Sequence, residues 1–371
     1  MQFKNGTPRI IILGAYGQVG VALLRLFKKH LPDPQYILAG RDRTRLKAIA
    51  DRNDRVCTLD VGDPESLRAA VREADLAINC IGPYLKYGHE IARTCVASGT
   101  AYFDPASEQE HYVRMQRLNS AAHHSGVPIM TGLGSYPGLS GLILLHLLRS
   151  NPDEYTEARM YVATGNTTGP DAGLASYMTA VLEYNYKLRE LHDGDLREVH
   201  PGREICQVEL PEPFGKMKLL NWPQMEILSL AKLTALSSLR TFIGLGHSET
   251  PSRLQIGLIR LLRPHRFEWS YQLLKAIARR RLRSEYQKAQ AVDPGTAAVL
   301  QIELLNQERR SIRANALLPD MATGTALLPL YASECWLRGT ILPGWHDPLE
   351  LFDTADALNR IRRIEPGIDP S

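Results

Sequence analysis

Cysteine is scarce in this chain of 371 residues, with five scattered at Cys57, Cys80, Cys95, Cys206 and Cys335 and no CxxC or Cys/His cluster. An odd, dispersed set excludes a disulfide framework and indicates no structural zinc, so a reducing compartment fits best. Long hydrophobic runs are also missing. The richest stretch, Ile227 to Gly246, is interrupted by Lys232 and Arg240 and falls short of the ~18 uncharged apolar residues of a membrane span. The first residues, Met-Gln-Phe-Lys-Asn-Gly, lack the apolar core of a signal peptide, and the expected location is cytoplasmic. No HExxH or other ligand spacing occurs; His123 and His124, if helical, point about 100° apart and cannot share one metal. A protein without a metal site is expected. No serine sits in a GxSxG elbow, which argues against hydrolase chemistry.

Strong charge of one sign is absent as well. Lys plus Arg number 44 against 40 Asp plus Glu, a net charge of +4 that is too mild for a dedicated nucleic-acid binder. The excess is unevenly placed: +5 over residues 1–150, −5 over 151–252, +8 over 253–313 and −4 over 314–371. With 44% hydrophobic residues, the length suits two domains of ~100–200 residues each.

The first part of the chain alternates short apolar runs with amphipathic stretches. Strands are expected at Arg9–Leu13, Tyr36–Ala39, Val56–Leu59, Leu76–Cys80, Ala101–Phe103 and Pro128–Met130. Helix starts are expected at Thr44, at Asp63-Pro64-Glu65 and at Gly88. Continuous apolar strands separated by helices predict an α/β fold, a doubly wound parallel sheet covered on both faces, over residues 1–135. Beyond a glycine-punctuated connector, Gly132 to Gly141, an α+β substrate or dimerisation domain is expected over 136–320. Its strands are read at Ala158–Ala163, Glu204–Glu209 and Phe214–Leu219, with a helix at Ala172–Glu190 and a hairpin of Val292–Leu305 and Ser311–Leu317. A C-terminal segment, 321–371, opens with a helix, Thr323–Arg338, stopped by Gly339.

The sharpest motif is Gly14-Ala15-Tyr16-Gly17-Gln18-Val19-Gly20, directly between the strand RIIIL and the helical VALLRLFKKH. In that context glycines let backbone N–H groups approach a pyrophosphate, and the helix N-terminus supplies partial positive charge. The alternative is a plain strand-to-helix turn. The second strand ends Leu38-Ala39-Gly40-Arg41-Asp42-Arg43, with glycine and arginine where an NAD site carries its acid. Arg41 and Arg43 suit a 2′-phosphate, so NADP(H) is the expected cofactor, unless these arginines are simply solvated at a helix start. Because ligands bind at the carboxyl ends of strands, Asp60 is placed near the adenine and Asn79-Cys80-Ile81-Gly82-Pro83 near the nicotinamide ribose.

Two further segments, Ile78 to Gly88 (INCIGPYLKYG) and Cys95 to Glu108 (CVASGTAYFDPASE), with the turn Pro137-Gly138-Leu139-Ser140, make the chain resemble the saccharopine dehydrogenase-like oxidoreductases. The GxxGxxG spacing is more similar to the subgroup that includes trans-acting enoyl reductases. The likeness covers residues 9–145 and 290–345 and is absent over 165–290. It implies a Rossmann domain binding NADP(H), with the GPY loop and the Cys95–Glu108 element lining the nicotinamide end. It also implies a chain end that packs back on the nucleotide domain.

Reduction of a C=O, C=N or polarised C=C bond needs a proton donor beside the developing negative charge. Tyr84, Tyr87, His89 and Asp104 fall in loops at the ends of the fourth and fifth strands, and Tyr84 is the first choice; the alternative is an aromatic wall over the ring. Glu108 reads as a cap or dipole partner. Tyr271 and Lys275 match the YxxxK of short-chain dehydrogenases but lie far beyond its usual place, at a spacing that chance supplies. The basic stretch 253–313 reads as a solvated helix face, a surface for an acidic carrier protein presenting a tethered substrate, or a surface drawn to anionic membrane. The expectation is an NADPH-dependent oxidoreductase of a small or carrier-tethered metabolite, homodimeric and without nucleic acid. The alternative is a dinucleotide-binding sensor or scaffold without turnover.

Overall fold

Four consecutive apolar residues, Ile10 to Leu13, are wholly buried. That requires cover on both faces, as in the centre of a parallel sheet. The computed structural model describes residues 3–4, 6–151, 155–164, 178–245, 253–289 and 298–368. The chain divides into two units, Met1–Leu139 with Ala322–Ile364 and Ser140–Met321 with Glu365–Ser371.

In the first unit the strands are β1 (Arg9–Leu13), β2 (Gln35–Gly40), β3 (Arg55–Thr58), β4 (Leu76–Asn79), β5 (Ala101–Phe103) and β6 (Pro128–Met130). They form a parallel sheet in the order β6-β5-β4-β1-β2-β3, the Rossmann order, and Gly344–His346 adds a seventh parallel strand beside β6. The helices are α1 (Gln18–His30), α2 (Arg43–Ile49), α3 (Pro64–Arg72), α4 (Tyr84–Ala97), α5 (Gln109–Gln116) and α6 (Asn119–Ser125). Helix α1 buries Gly20, Leu23, Leu24 and Phe27 at helical spacing and places Lys28, Lys29 and His30 in its last turn, where cations suit the dipole. Asp63 caps α3 ahead of Pro64.

Two helix starts differ from the sequence reading. Helix α2 begins one residue before Thr44 because Asp42 caps it, accepting from the N–H groups of Thr44 and Arg45. Helix α4 begins at Tyr84, immediately after Pro83, and not at Gly88. Tyr84, Tyr87 and His89 therefore lie on a helix and not in a loop.

The second unit carries an eight-stranded sheet among its described residues. Its main path runs Ile205–Leu210, Gly215–Asn221, Ser238–Leu245, Tyr155–Thr164, Ala298–Asn306, Ser311–Leu318. Ser238–Leu245 and Tyr155–Thr164 pair in parallel and the rest of the path is antiparallel. A hairpin, Leu188–His192 with Asp195–Val199, joins at Ser238–Leu245. The expected helix Ala172–Glu190 is thus corrected: its first residues lie outside the described ones, 178–183 are helical, and the chain turns into a strand at Leu188. The start of the expected hairpin at Val292 also lies outside them. The apolar stretch Ile227 to Gly246 resolves into a helix, Glu226–Leu233, and the strand Ser238–Leu245. The helix Met321–Leu337 is buried along most of its length and is followed by Gly339 at φ 74°.

Candidate dinucleotide site

The β1–α1 turn is locked from behind. The N–H groups of Gly14 and Ala15 donate to the Ala39 carbonyl at 2.9 and 3.2 Å, and Gly17 N–H donates to Gly14 O at 2.9 Å. Gly14 has φ +80°, and a Cβ there would lie 3.0 Å from Ile81 and 3.1 Å from the Cys80 carbonyl. A Cβ at Gly20 would stand 2.5 Å from Gly14 O and 2.7 Å from Ala15 O. These are backbone atoms that cannot move aside, so glycine is what lets α1 start tight against the turn. Gly17 is the N-cap of α1 and brings no side chain to the cap. The helix start at Gln18, Val19 and Gly20 is the amide-bearing, partially positive end of α1, which suits an anion. These residues fit a pyrophosphate.

The end of β2 forms a second part of the site. Gly40 carries the Tyr16 ring, since a Cβ there would meet Tyr16 Cε1 at 2.6 Å. The Arg45 guanidinium lies over the same ring, 4.4 Å from its centroid, and its Nη2 donates to the Tyr16 carbonyl at 3.4 Å. Arg41 and Arg43 are exposed here. Asp42 Oδ1 is engaged by Thr44 N–H at 2.9 Å and Arg45 N–H at 3.1 Å, so the one carboxylate in this loop serves as a helix cap. Sequence reasoning found Arg41 and Arg43 but missed Arg45; its position four residues after Arg41, on the first turn of a helix, was the available signal. Asp60, exposed past β3, accepts from Gly62 N–H at 3.0 Å.

At the end of β4, Asn79 is fully buried. Its Oδ1 accepts from Ile81 N–H at 2.9 Å and its Nδ2 donates to the Tyr102 hydroxyl at 2.9 Å, which shapes the Cys80-Ile81-Gly82-Pro83 loop. Tyr84 donates its hydroxyl to the Asn79 carbonyl at 3.1 Å. Burial, with Cys80, Asp104 and Glu108 nearby, holds this phenol protonated well above the ordinary tyrosine range. Burial likewise pushes the Cys80 thiol up to about 12. Tyr87 packs against the core beneath α4, and burial followed by the Arg114 charge holds His89 below its ordinary value.

Asp104 lies where expected, in the loop directly after β5, but it does not face solvent there. It is wholly buried and accepts from His111 Nε2 at 2.8 Å, Thr131 Oγ1 at 2.6 Å and Ala106 N–H at 3.0 Å. Burial opposes ionisation, yet His111 and these hydrogen bonds carry its pKa below the ordinary value. Glu108, also buried, accepts from Ser107 N–H at 3.0 Å and from Tyr84 N–H at 3.1 Å, so it caps α4 rather than its own helix. Burial raises its pKa. The structure therefore brings Tyr84, Cys80, Asp104 and Glu108 together and adds His111 and Thr131, which no local pattern announced. Tyr271 is buried in the second unit with Lys275 Nζ 5.9 Å from its ring centroid.

Residues 10–130 match the family model of the saccharopine dehydrogenase NADP binding domain. An Arabidopsis thaliana protein named as a mitochondrial saccharopine dehydrogenase-like oxidoreductase is 29% identical over 53% of this chain and 47% of its own length. A Mycobacterium tuberculosis protein named as a trans-acting enoyl reductase is 31% identical over 57% of this chain and 55% of its own. The chain thus spans about half the length of the curated relatives it matches. The saccharopine dehydrogenase (L-Glu forming) of Saccharomyces cerevisiae superimposes with a TM-score of 0.65 at 13% identity, covering 97% of this chain and 98% of that one, a likeness of fold.

Proposed function

We propose that this chain, a member of the saccharopine dehydrogenase-like oxidoreductases through its NADP-binding domain, is an NADPH-dependent reductase of a C=N, C=C or C=O bond in a small or carrier-tethered metabolite. The observation that carries the preference for NADPH is the end of β2, where Arg41, Arg43 and the Tyr16-stacked Arg45 gather while Asp42 is occupied as a cap. When bound, the cofactor supplies a hydride. The residues proposed to hold it are Gly14 to Gly20 at the pyrophosphate, Arg41 and Arg43 at the 2′-phosphate, Asp60 toward the adenine, and Cys80, Ile81, Gly82 and Pro83 toward the nicotinamide.

Tyr84 is the proposed proton donor: its hydroxyl is kept protonated and sits at the end of β4, beside Cys80 to Pro83. Tyr87 and His89 follow on the same helix, and Asp104 acts from beneath by holding His111. The eight-stranded unit is the proposed substrate part. Five free thiols suit a reducing cytoplasmic setting, and a homodimer is the proposed assembly.

The test is cofactor titration followed by NADPH oxidation with a panel of imines, enones, ketones and acyl thioesters, free and carrier-bound. Tighter binding of NADPH than NADH, with turnover of one acceptor class, is expected. Tight NADPH binding with no acceptor turned over would instead support a dinucleotide-binding sensor or scaffold.

A further inference from the structure

The two helices Arg253–Leu262 and Glu268–Ala289 leave apolar surface in solvent on a scale found nowhere else among the described residues. Leu258 is 54% exposed, Leu261 77%, Phe267 41%, Trp269 61%, Leu273 46% and Ile277 56%. The inner face of the second helix is already satisfied, because Ser270, Tyr271, Leu274 and Ala278 are buried. Trp269, Leu273 and Ile277 recur at four-residue spacing and form a separate outer stripe. Leu258 and Leu261 supply exposed apolar positions on the first helix, and Phe267 does so in the turn. The Phe267 and Trp269 rings stack at 6.5 Å.

Cations accompany this stripe. Arg263, Arg266, Arg279 and Arg280 are exposed, and the Arg266 guanidinium lies 5.7 Å from the Phe267 ring centroid. Glu268 is the single carboxylate between residues 256 and 280, and it accepts from Gln272 Nε2 at 2.6 Å. An acidic carrier protein would be met by arginines, but it gives no reason for six large apolar side chains in water. A lipid surface accounts for both features: aromatic and aliphatic side chains enter the headgroup boundary while arginines remain among the phosphates.

We infer that these two helices form a docking surface for an anionic phospholipid bilayer, with Trp269, Phe267, Leu261 and Leu273 inserted and Arg263, Arg266 and Arg279 on the headgroups. The inference is independent of the reductase reading, since it uses no residue of the dinucleotide site.

Trp269 provides the probe. Of the four tryptophans, Trp222 and Trp336 are buried and Trp345 is half-buried, which leaves Trp269 as the exposed one. The full chain is mixed with phosphatidylcholine vesicles with and without phosphatidylserine, and with brominated-lipid versions of each. Expected results are binding on the order of tenfold or more tighter to the anionic vesicles, weakened by salt. A blue shift and quenching of tryptophan emission by the brominated lipid should accompany it. Trp269→Glu with Leu273→Glu should abolish the quenching, and Arg266→Glu with Arg279→Glu should remove the preference for phosphatidylserine. An unchanged circular dichroism spectrum and a cooperative thermal transition at the wild-type temperature show that each variant is folded. Three results would overturn the inference: no binding to anionic vesicles, equal binding by wild type and variants, or saturation of this surface by an acidic carrier protein but not by vesicles. Loss of a dimer in Trp269→Glu without vesicle binding by the wild type would assign the surface to a second copy and overturn it too.

Discussion

His111 and Asp104 form a pair with no solvent exposure on either side chain, Nε2 to Oδ2 at 2.8 Å, below the first turns of α4. Deleting one member of such a pair leaves a buried polar or charged group without its partner, at a cost of about 3–5 kcal/mol. Asp104→Ala should therefore lower the urea midpoint clearly at neutral pH. Since the folded-state pKa of Asp104 is depressed, the stabilisation is present above the ordinary carboxylate value of about 4 and is lost as pH falls through the lower folded value. The gap between wild type and Asp104→Ala should narrow in urea titrations taken below that pH. A gap that stays constant into strong acid would show that packing, not ionisation, sets the difference.

Gly88 sits inside α4 because His111 lies against it: a Cβ there would come within 2.5 Å of His111 Cε1 and 3.0 Å of Nδ1. Gly88→Ala gains about 1 kcal/mol of helix propensity but drives a methyl group into a wholly buried ring, an overpacking cost of about 1–3 kcal/mol. The steric cost should win, and Gly88→Ala should melt below wild type. A higher melting temperature would mean that the imidazole moves aside freely.

How far the sequence could be read follows from where the information lies. Strands β1, β2, β4, β5 and β6 were legible because burial on both faces makes them continuous apolar runs, the partly buried edge strand β3 showed only its short Val56-Cys57 core, and the glycine turn was legible because backbone approach demands glycine at fixed offsets. The start of α4 was not, because Glu108 caps it from a position 24 residues later, and sequence spacing does not reveal a cap from another element. The same holds for the Asp104, His111 and Thr131 cluster, assembled from three separate segments. The sequence pattern predicts helix as far as Glu190, over the start of the strand Leu188–His192, although the turn is written locally: Asp193 and Gly194, both at positive φ, are the Asp-Gly signal of a two-residue hairpin. The seventh strand, three residues long, owes its pairing to β6 and not to any pattern of its own.

Gly20→Ala tests the cradle. The added carbon would press on two backbone carbonyls within 2.7 Å, so α1 must shift away from the turn at a cost of about 1–3 kcal/mol. Calorimetric titration should show loss of both NADPH and NADH binding. Retention of wild-type affinity for either would place the pyrophosphate elsewhere.

Arg41→Asp separates the two nicotinamide cofactors. A charge-assisted hydrogen bond to a 2′-phosphate is worth about 1.5–3 kcal/mol, so NADPH affinity should fall on the order of tenfold to a hundredfold. NADH, with a ribose hydroxyl in that place, should be little affected or bind slightly better. Equal losses for both cofactors would show that Arg41 does not reach the 2′ position.

Tyr84→Phe distinguishes proton donor from aromatic wall, since it removes the hydroxyl and keeps the ring. In the folded chain that hydroxyl has an internal acceptor, the Asn79 carbonyl, and must turn from it toward a reduced substrate atom to act. As donor it contributes about 10²–10⁴-fold to turnover, so kcat should drop by that factor while cofactor affinity is kept. The phenol is held well above its ordinary value first by burial and then by Cys80, Asp104 and Glu108, so the wild-type rate should show no alkaline limb from a tyrosine of ordinary pKa near about 10. A wild-type kcat in Tyr84→Phe assigns the ring to packing and passes the donor role to His89. With His89 held below its ordinary value, the rate would then fall as pH rises through a point below that of a free histidine.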